Sequence, residues 1–508
     1  MIKLIKPKIE GKCDTQMAEK KAAAAAALAS AGALLAANTV RAIKFKPEKK
    51  EYPPLEREKV NVDKFIKNLS DAIKFKTISN NDPEKVDWNE FKRFHEFLKE
   101  RYPHIFSVLK IEVVSRASLL MRWEGKNPTL DPIALLGHQD VVPISDGTLE
   151  DWKHPPFDGE VADGFIWGRG ALDMKNHVIG VLEAVETLLE EDFEPERDVY
   201  VLLGHNEETV ATKESGADAM AALLKERGVH LDCIIDEGGA ILPVNVPHLM
   251  NLNLAGVGIG EKGYADFKIS LRTKGGHSAQ PPKHTAVGKM ADVIKDIESH
   301  QFKAHLNPFM IDLFTRIGQN MSFPGRFVAC NINYMKPLIT KVMTFIPPAA
   351  SMIRTTTGVT QMFGSPQANV LPQKASIVVN FRIMPGQSIA DVEKHLHKVI
   401  RNKNVEIKLL GGKEPSHLSG TDSRAFHAIE EICKRMNNNN LVAPYLVMGG
   451  TDAYRYEGIC ENVYRYSPFM VNTSLLLTTH GTNERIPVDC MEDGVAFFKM
   501  YIRTLSAE

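Results

Sequence analysis

Cysteine is scarce in this chain: six residues in 508, at positions 13, 233, 330, 433, 460 and 490, with no close pair among them. That scatter excludes a thiolate metal knuckle, and it neither requires disulfides nor rules out a few. Cys233, set inside an apolar strand, is expected in a core. Net charge is lacking as well. The chain has 62 Lys and Arg against 63 Asp and Glu, a formal charge of −1, so no broad field draws it to nucleic acid or acidic membranes. No internal repeat is visible, which excludes a solenoid. At 508 residues the chain exceeds one core and implies two domains with extras. Its 44% hydrophobic and 25% charged content is ordinary for a soluble globular protein.

Long apolar runs are rare too, apart from one near the start. Residues 22–37 are nearly all Ala and Leu, preceded by Lys20 and Lys21, and a charged, Pro-bearing stretch follows from Lys44 to Pro54. This suits a signal-peptide core or a weak anchor. An Ala-rich helix or a disordered leader is the plain alternative. Asn-x-Ser sequons at Asn68, Asn320 and Asn472 permit glycosylation in a secretory setting.

What the sequence does have is a series of short apolar strands that end in metal-ligand residue types. Pro132–Leu136 reads as a buried strand and leads into Gly137-His138-Gln139-Asp140. His138 and Asp140, two apart on an extended chain, share a face. A metal-bound imidazole usually gives its other N–H to a carboxylate, and Asp140 is placed for that role. Val199–Leu203 leads to Glu207-Glu208, adjacent acids that point to opposite sides, one suited to a metal and one to proton transfer. Cys233–Ile235 ends in Asp236-Glu237. Asp173 stands where Gly168-Arg169-Gly170 runs into an apolar-periodic helix, and His480 opens His480-Gly481-Thr482-Asn483-Glu484-Arg485. Singly, these read as polar rims, an N-cap or solvated loops. Together, His138, Asp173, Glu208, Asp236 and His480 suit a two-metal hydrolase, with Asp140 and Glu207 left for proton work. Open α/β sheets place such sites at strand C-termini.

The runs Gly137–Pro143, Gly168–Lys175, Glu207-Glu208, Asp236–Gly239, Gly275-Gly276-His277-Ser278 and His480–Arg485 resemble the M20 metallopeptidase family, in the family's order, from about Val60 to the end. Ile353–Thr357, Asn380–Gln387 and Arg227-Gly228-Val229 further resemble, within it, the branch of the N-fatty-acyl-amino-acid synthase/hydrolases, near carboxypeptidase S. Asn206 departs from the Asp usual there. The resemblance implies two zinc ions per subunit, bridged by Asp173, with His138 and Asp236 on one and Glu208 and His480 on the other. Glu237 is the alternative to Asp236. It implies Glu207 as general base, Asp140 orienting His138, and His277 as an oxyanion-stabilising residue that often reaches a partner's site. Asn369 and Arg382 would grip the substrate carboxylate, and the loop with Gly450 and Thr451 would lie beside the substrate. The activity implied is hydrolysis, and also formation, of the amide of N-acyl amino acids, fatty-acyl ones above all. The alternatives are a carboxypeptidase acting on short peptides or a non-catalytic binding protein on this scaffold. The resemblance further implies a small-molecule substrate, no nucleic acid, and a secreted or endomembrane/vacuolar lumenal setting. It leaves room for a homodimer through the lid, with membrane contact only through an uncleaved N-terminal segment.

The fold class expected is α/β: a zinc-peptidase-like mixed sheet with flanking helices, plus an inserted α+β lid with a small sheet and two helices. The boundaries are a leader 1–59, a first catalytic part 60–261, a lid 262–411 and a second catalytic part 412–508. Residues 265–271 and 375–382 alternate like half-exposed strands, and helices are expected over 286–300 and 389–401. The apolar stretch 323–353 reads as lid core, a dimer face or a greasy acyl channel.

Overall fold

The structure is a computed structural model, and it describes residues 10–47, 58–209 and 214–507. A nine-stranded sheet runs 110–114, 118–123, 199–204, 133–138, 233–236, 463–465, 250–261 and 440–447, with 241–246 paired to 250–261. Strand Ile133–His138 lies parallel to both Val199–Gly204 and Cys233–Asp236. These three strands read as unbroken apolar runs because both faces of the sheet are covered. Ile133 and Leu135 face the core under the helices Lys175–Glu190 and Met491–Ser506. Ala134 and Leu136 face a second core with Met220 and Leu224 of Gly216–Glu226. Cys233 is wholly buried in the first core, as its apolar setting implies.

The chain leaves this layer at Glu261. Strands Gly263–Arg272, Thr356–Phe363, Lys374–Ile383 and Glu406–Lys413 form an antiparallel four-stranded sheet. Helices Ala286–Ser299 and Ile389–Val399 supply Met290, Val293, Val392 and Leu396 to its core. The mixed sheet and the small lid with two helices match the expected class. Inside the lid's stretch of chain, helices Pro308–Gln319, Phe323–Cys330 and Ile332–Thr344 behave differently: Phe309, Met310, Leu313 and Met343 join the core of the large layer. After Lys413 the chain returns to the large sheet for its last part.

The N-terminal segment forms a helix, Glu10–Lys44, that packs against Phe323–Cys330. No helix among the described residues is long and apolar enough to cross a membrane. Residues 1–9 and 48–57 of the expected leader lie outside the described residues. Of the sequons, Asn320 and Asn472 are exposed. Asn68 is buried, its amide donating to Glu183 Oε1 at 2.6 Å, so it cannot present a glycan.

Candidate active site

The three parallel strands end on the same edge of the sheet, which delivers His138, the Glu207-Glu208 pair and Asp236-Glu237 to one place. Asp173 arrives from the loop before helix Lys175–Glu190, and His480 from the far end of the chain. Asp173 lies between the two imidazoles. Its Oδ1 is 3.1 Å from His138 Nε2 and its Oδ2 is 3.0 Å from His480 Nε2. Glu208 Oε2 is also 3.0 Å from His480 Nε2, and Glu237 Oε1 is 3.2 Å from His138 Nε2. Donor atoms of His138, Asp173 and Glu208 fall within 4.8 Å of one another, as do those of His138, Glu207 and Glu237.

Of the two neighbours at the third strand's end, it is therefore Glu237 that joins the cluster. Asp236 uses Oδ1 to accept its neighbour's N–H at 2.8 Å, and its Oδ2 is buried without a partner. Successive side chains at a strand end point to opposite sides, and here the face of Glu237 looks at His138. Asp140 serves more widely than as a partner for one ring. Its backbone oxygen lies 2.9 Å from His138 Nδ1 and its carboxylate 3.4 Å. The same carboxylate accepts the N–H groups of Glu207 and Glu208, each at 3.1 Å, and the Ser79 hydroxyl at 2.5 Å. It thus ties two strand ends into one frame.

The electrostatics ask for cations. Asp140, Asp173, Glu207, Glu208, Asp236, Glu237 and Asp452 crowd here with only imidazoles as ionic partners among the described residues. Burial pushes Glu207 well above the usual carboxylate range, reinforced by Glu237 and Asp452 against the pull of His138. Burial likewise raises Glu237 well above its usual range, and it lifts Asp236 to about 6 and Asp452 to about 7. Asp173 goes the other way: burial would raise it, but hydrogen bonds from His138 and His480 hold it far below. Hydrogen bonds to Asp173 and Glu208 raise His480 to about 10. Buried like charges are costly unless compensated, and a donor set of imidazoles and carboxylates around one shared carboxylate fits two divalent cations.

Two further features hold the site, and sequence reasoning missed them. Buried Glu484 accepts the backbone N–H groups of Gly170, Leu172 and Asp173 at 3.0, 2.9 and 3.1 Å, and its other oxygen pairs with Arg169 at 2.5 Å. Only its place four residues after His480 hinted at this. Gly170 has φ +86°, and a Cβ there would lie 2.8 Å from Val141 Cγ1, so the loop admits glycine alone. Buried Lys175, in the same motif, anchors the helix start by donating to the carbonyls of Ala72 and Phe75 at 2.9 and 2.6 Å.

A cavity of about 420 Å³ opens beside Asp173 and Glu237. Its walls are mostly apolar, with Leu242, Leu254, Leu313, Met352, Phe469 and Val471 prominent. Of the apolar stretch 323–353, only Met352 reaches it.

The other expected substrate residues stand apart from this cavity, since none of His277, Asn369, Arg382, Gly450 and Thr451 lines it. His277 and Asn369 are neighbours on an exposed two-stranded ribbon of the lid, where Ser278 N–H donates to the Asn369 carbonyl at 3.0 Å. Arg382 lies 5.2 Å over the Tyr264 ring and has no carboxylate partner among the described residues. Thr451 is buried and committed: its N–H and hydroxyl both donate to Glu261 Oε1, at 3.2 and 2.7 Å. The same Glu261 takes Arg465 at 3.0 Å and Lys413 at 2.5 Å where the lid begins. Gly450, next to it, is exposed. The polar groups of Thr451 are thus satisfied within the fold.

Residues 134–504 match the family described as Peptidase family M20/M25/M40. The chain belongs to the M20 family. It is 34% identical to a probable carboxypeptidase S-like protein of Dictyostelium discoideum, over 86% of this chain and 84% of that one. It is 32% identical to an N-fatty-acyl-amino acid synthase/hydrolase of Bos taurus, over 86% of each. Among solved structures, an M20 metallo-carboxypeptidase of Sulfolobus solfataricus superposes with TM-score 0.62 at 18% identity, covering 87% of this chain and 99% of that one. A dinuclear metal-binding M20 peptidase of Bacillus subtilis superposes with TM-score 0.55 at 14% identity, over 88% and 99%. This M20 chain is a metallohydrolase of amide bonds, and the acid-rich cluster is the place in its fold where two cations fit.

Proposed function

We propose that this M20 enzyme is a two-zinc amidohydrolase that cleaves N-fatty-acyl amino acids. The observation that carries the reading is the apolar cavity opening at Asp173 and Glu237. Pockets with apolar walls and a few polar groups at one end suit a ligand with a long tail and one reactive group. The relatives named synthase/hydrolase point the same way.

His138 and Glu237 would hold one cation, Glu208 and His480 the other, with Asp173 shared. Bound there, the cations supply Lewis acidity to the carbonyl and a lowered pKa for water. Glu207, next to His138 and Glu237, takes the proton from the attacking water and returns it to the departing amine. Asp140 holds the backbone of Glu207 and the His138 ring in register. Closure of the lid would bring Arg382, Asn369 and His277 to the substrate. The guanidinium of Arg382, unclaimed by any carboxylate among the described residues, suits the free carboxylate of the amino acid. The same groups serve amide formation when fatty acid and amino acid are abundant.

A panel of N-acyl phenylalanines of increasing chain length tests the reading. Rates should climb with chain length and vanish with a chelator. The second reading, a carboxypeptidase of short peptides, is favoured by the carboxypeptidase S-like relative. Turnover of dipeptides with no acyl amino acid cleaved would select it.

A further inference from the structure

We propose that the helices Phe323–Cys330 and Ile332–Thr344 form a docking face for an anionic phospholipid bilayer, through which acyl substrates reach the cavity. This rests on the acyl reading for what passes through, though not for the docking itself.

The second helix carries an apolar stripe on its outer side. Tyr334, Leu338 and Val342 follow helical spacing, Phe345 and Ile346 continue just past its end, and all are exposed, Tyr334 by 80% and Phe345 by 76%. Ile332 and Met343 of the same helix are buried on its inner side. A stripe that faces water over three turns lacks its partner. Phe323 and Val328 extend it on the neighbouring helix. The N-terminal helix packs on that neighbour and adds exposed Leu34, Leu35, Val40 and Ile43.

Charge selects the occupant. Between Asp312 and Asp391 the chain has no acidic residue, and none occurs from Lys20 to Pro47. Arg326, Lys336 and Lys341 lie on the two helices, and Arg41 and Lys44 on the last turn of the N-terminal one. An apolar stripe whose own two helices carry cations and no acidic residue matches an interfacial helix on acidic headgroups. A second copy of this face would oppose cation to cation, so self-association gains nothing from charge. The near-neutral net charge of the whole chain hid this local bias.

Position links the face to the chemistry. Leu313, on the helix before the face, and Met352, eight residues after it, wall the cavity that begins at Asp173. A fatty-acyl chain leaving a bilayer here would start from the stretch of chain whose flanks wall the cavity.

The full chain is mixed with vesicles of phosphatidylcholine alone or containing phosphatidylserine, and flotation is measured. It should float with the anionic vesicles and release at high salt. The triple variant Leu338→Asp, Val342→Asp, Phe345→Asp should bind them at least about tenfold more weakly, with circular dichroism and hydrolysis of a water-soluble short-chain substrate unchanged. On N-oleoyl-phenylalanine embedded in vesicles, the variant should lose rate while the parent does not. Failure of the parent to float, or equal flotation of the variant, overturns the proposal. A parent that is dimeric and vesicle-free, with a monomeric variant, assigns the face to a second copy instead. Flotation without any acyl turnover keeps the docking face and rejects only the acyl reading.

Discussion

The carboxylate of Glu484 accepts the backbone N–H of Asp173 at 3.1 Å, across 311 residues of chain. The residue shared by both imidazoles is thus held in place from the last part of the sequence. Glu484→Ala should leave Arg169 buried without its partner and three amides unsatisfied, a loss of about 3–5 kcal/mol. Glu484→Gln keeps an acceptor and should cost less. Thermal melts and metal content together check this. Unchanged metal content in a folded Glu484→Ala protein would sink the positioning role.

Glu207→Gln removes the proton acceptor and keeps the shape. Metal content should stay at the parent level while kcat falls about 10²–10⁴-fold. Metal analysis beside kinetics decides, and a variant with near-parent kcat would end the general-base assignment.

The metal-free protein should lose stability as pH rises. The folded pKa of His480 is raised from 6.5 to about 10, so its contribution is complete below the unfolded value and lost as pH climbs through about 10. Glu237, raised by burial, acts in the same direction from its ordinary 4.5 upward. Metal binding needs the imidazole neutral. The gain in Tm on adding zinc to chelator-treated protein should therefore grow with pH between about 6 and 9. A gain that is flat or falls with pH would contradict the proton competition.

Ala240, half-buried on the cavity wall, tests the acyl path. Ala240→Phe should fill part of the 420 Å³ and cut kcat/KM for long acyl chains about tenfold, or about 1.4 kcal/mol. Short-chain substrates should be spared. Equal loss on both would place the acyl chain elsewhere.

Arg382→Ala should lower kcat/KM about ten- to a hundredfold for substrates with a free carboxylate, the worth of one charge-assisted bond. Substrates with that carboxylate amidated should be poor for the parent and change little. Arg382→Lys should be impaired as well, because the planar fork is gone. Equal effects on both substrate types would make Arg382 structural, through its stacking on Tyr264.

Much of this was legible in the chain itself. Unbroken apolar runs such as Ile133–Leu136 announced buried strands, and the alternation at 265–271 announced the half-exposed lid sheet. The residue types after those runs announced metal-ligand chemistry, because His and carboxylates at parallel strand ends must share an edge. What only the tertiary structure decided was orientation and partnership. Asp236 and Glu237 are indistinguishable as letters, and only the fold shows that it is the Glu237 carboxylate that stands 3.2 Å from His138 Nε2. Nothing in the letters around Thr451 reveals that Glu261, 190 positions away, accepts from both its N–H and its hydroxyl. Glu484 acquires its role through amides met only after the chain returns from the lid. The apolar stretch 323–353 named no destination, since hydrophobicity fixes that a face must be covered and leaves to packing which face is buried and which still lacks its partner.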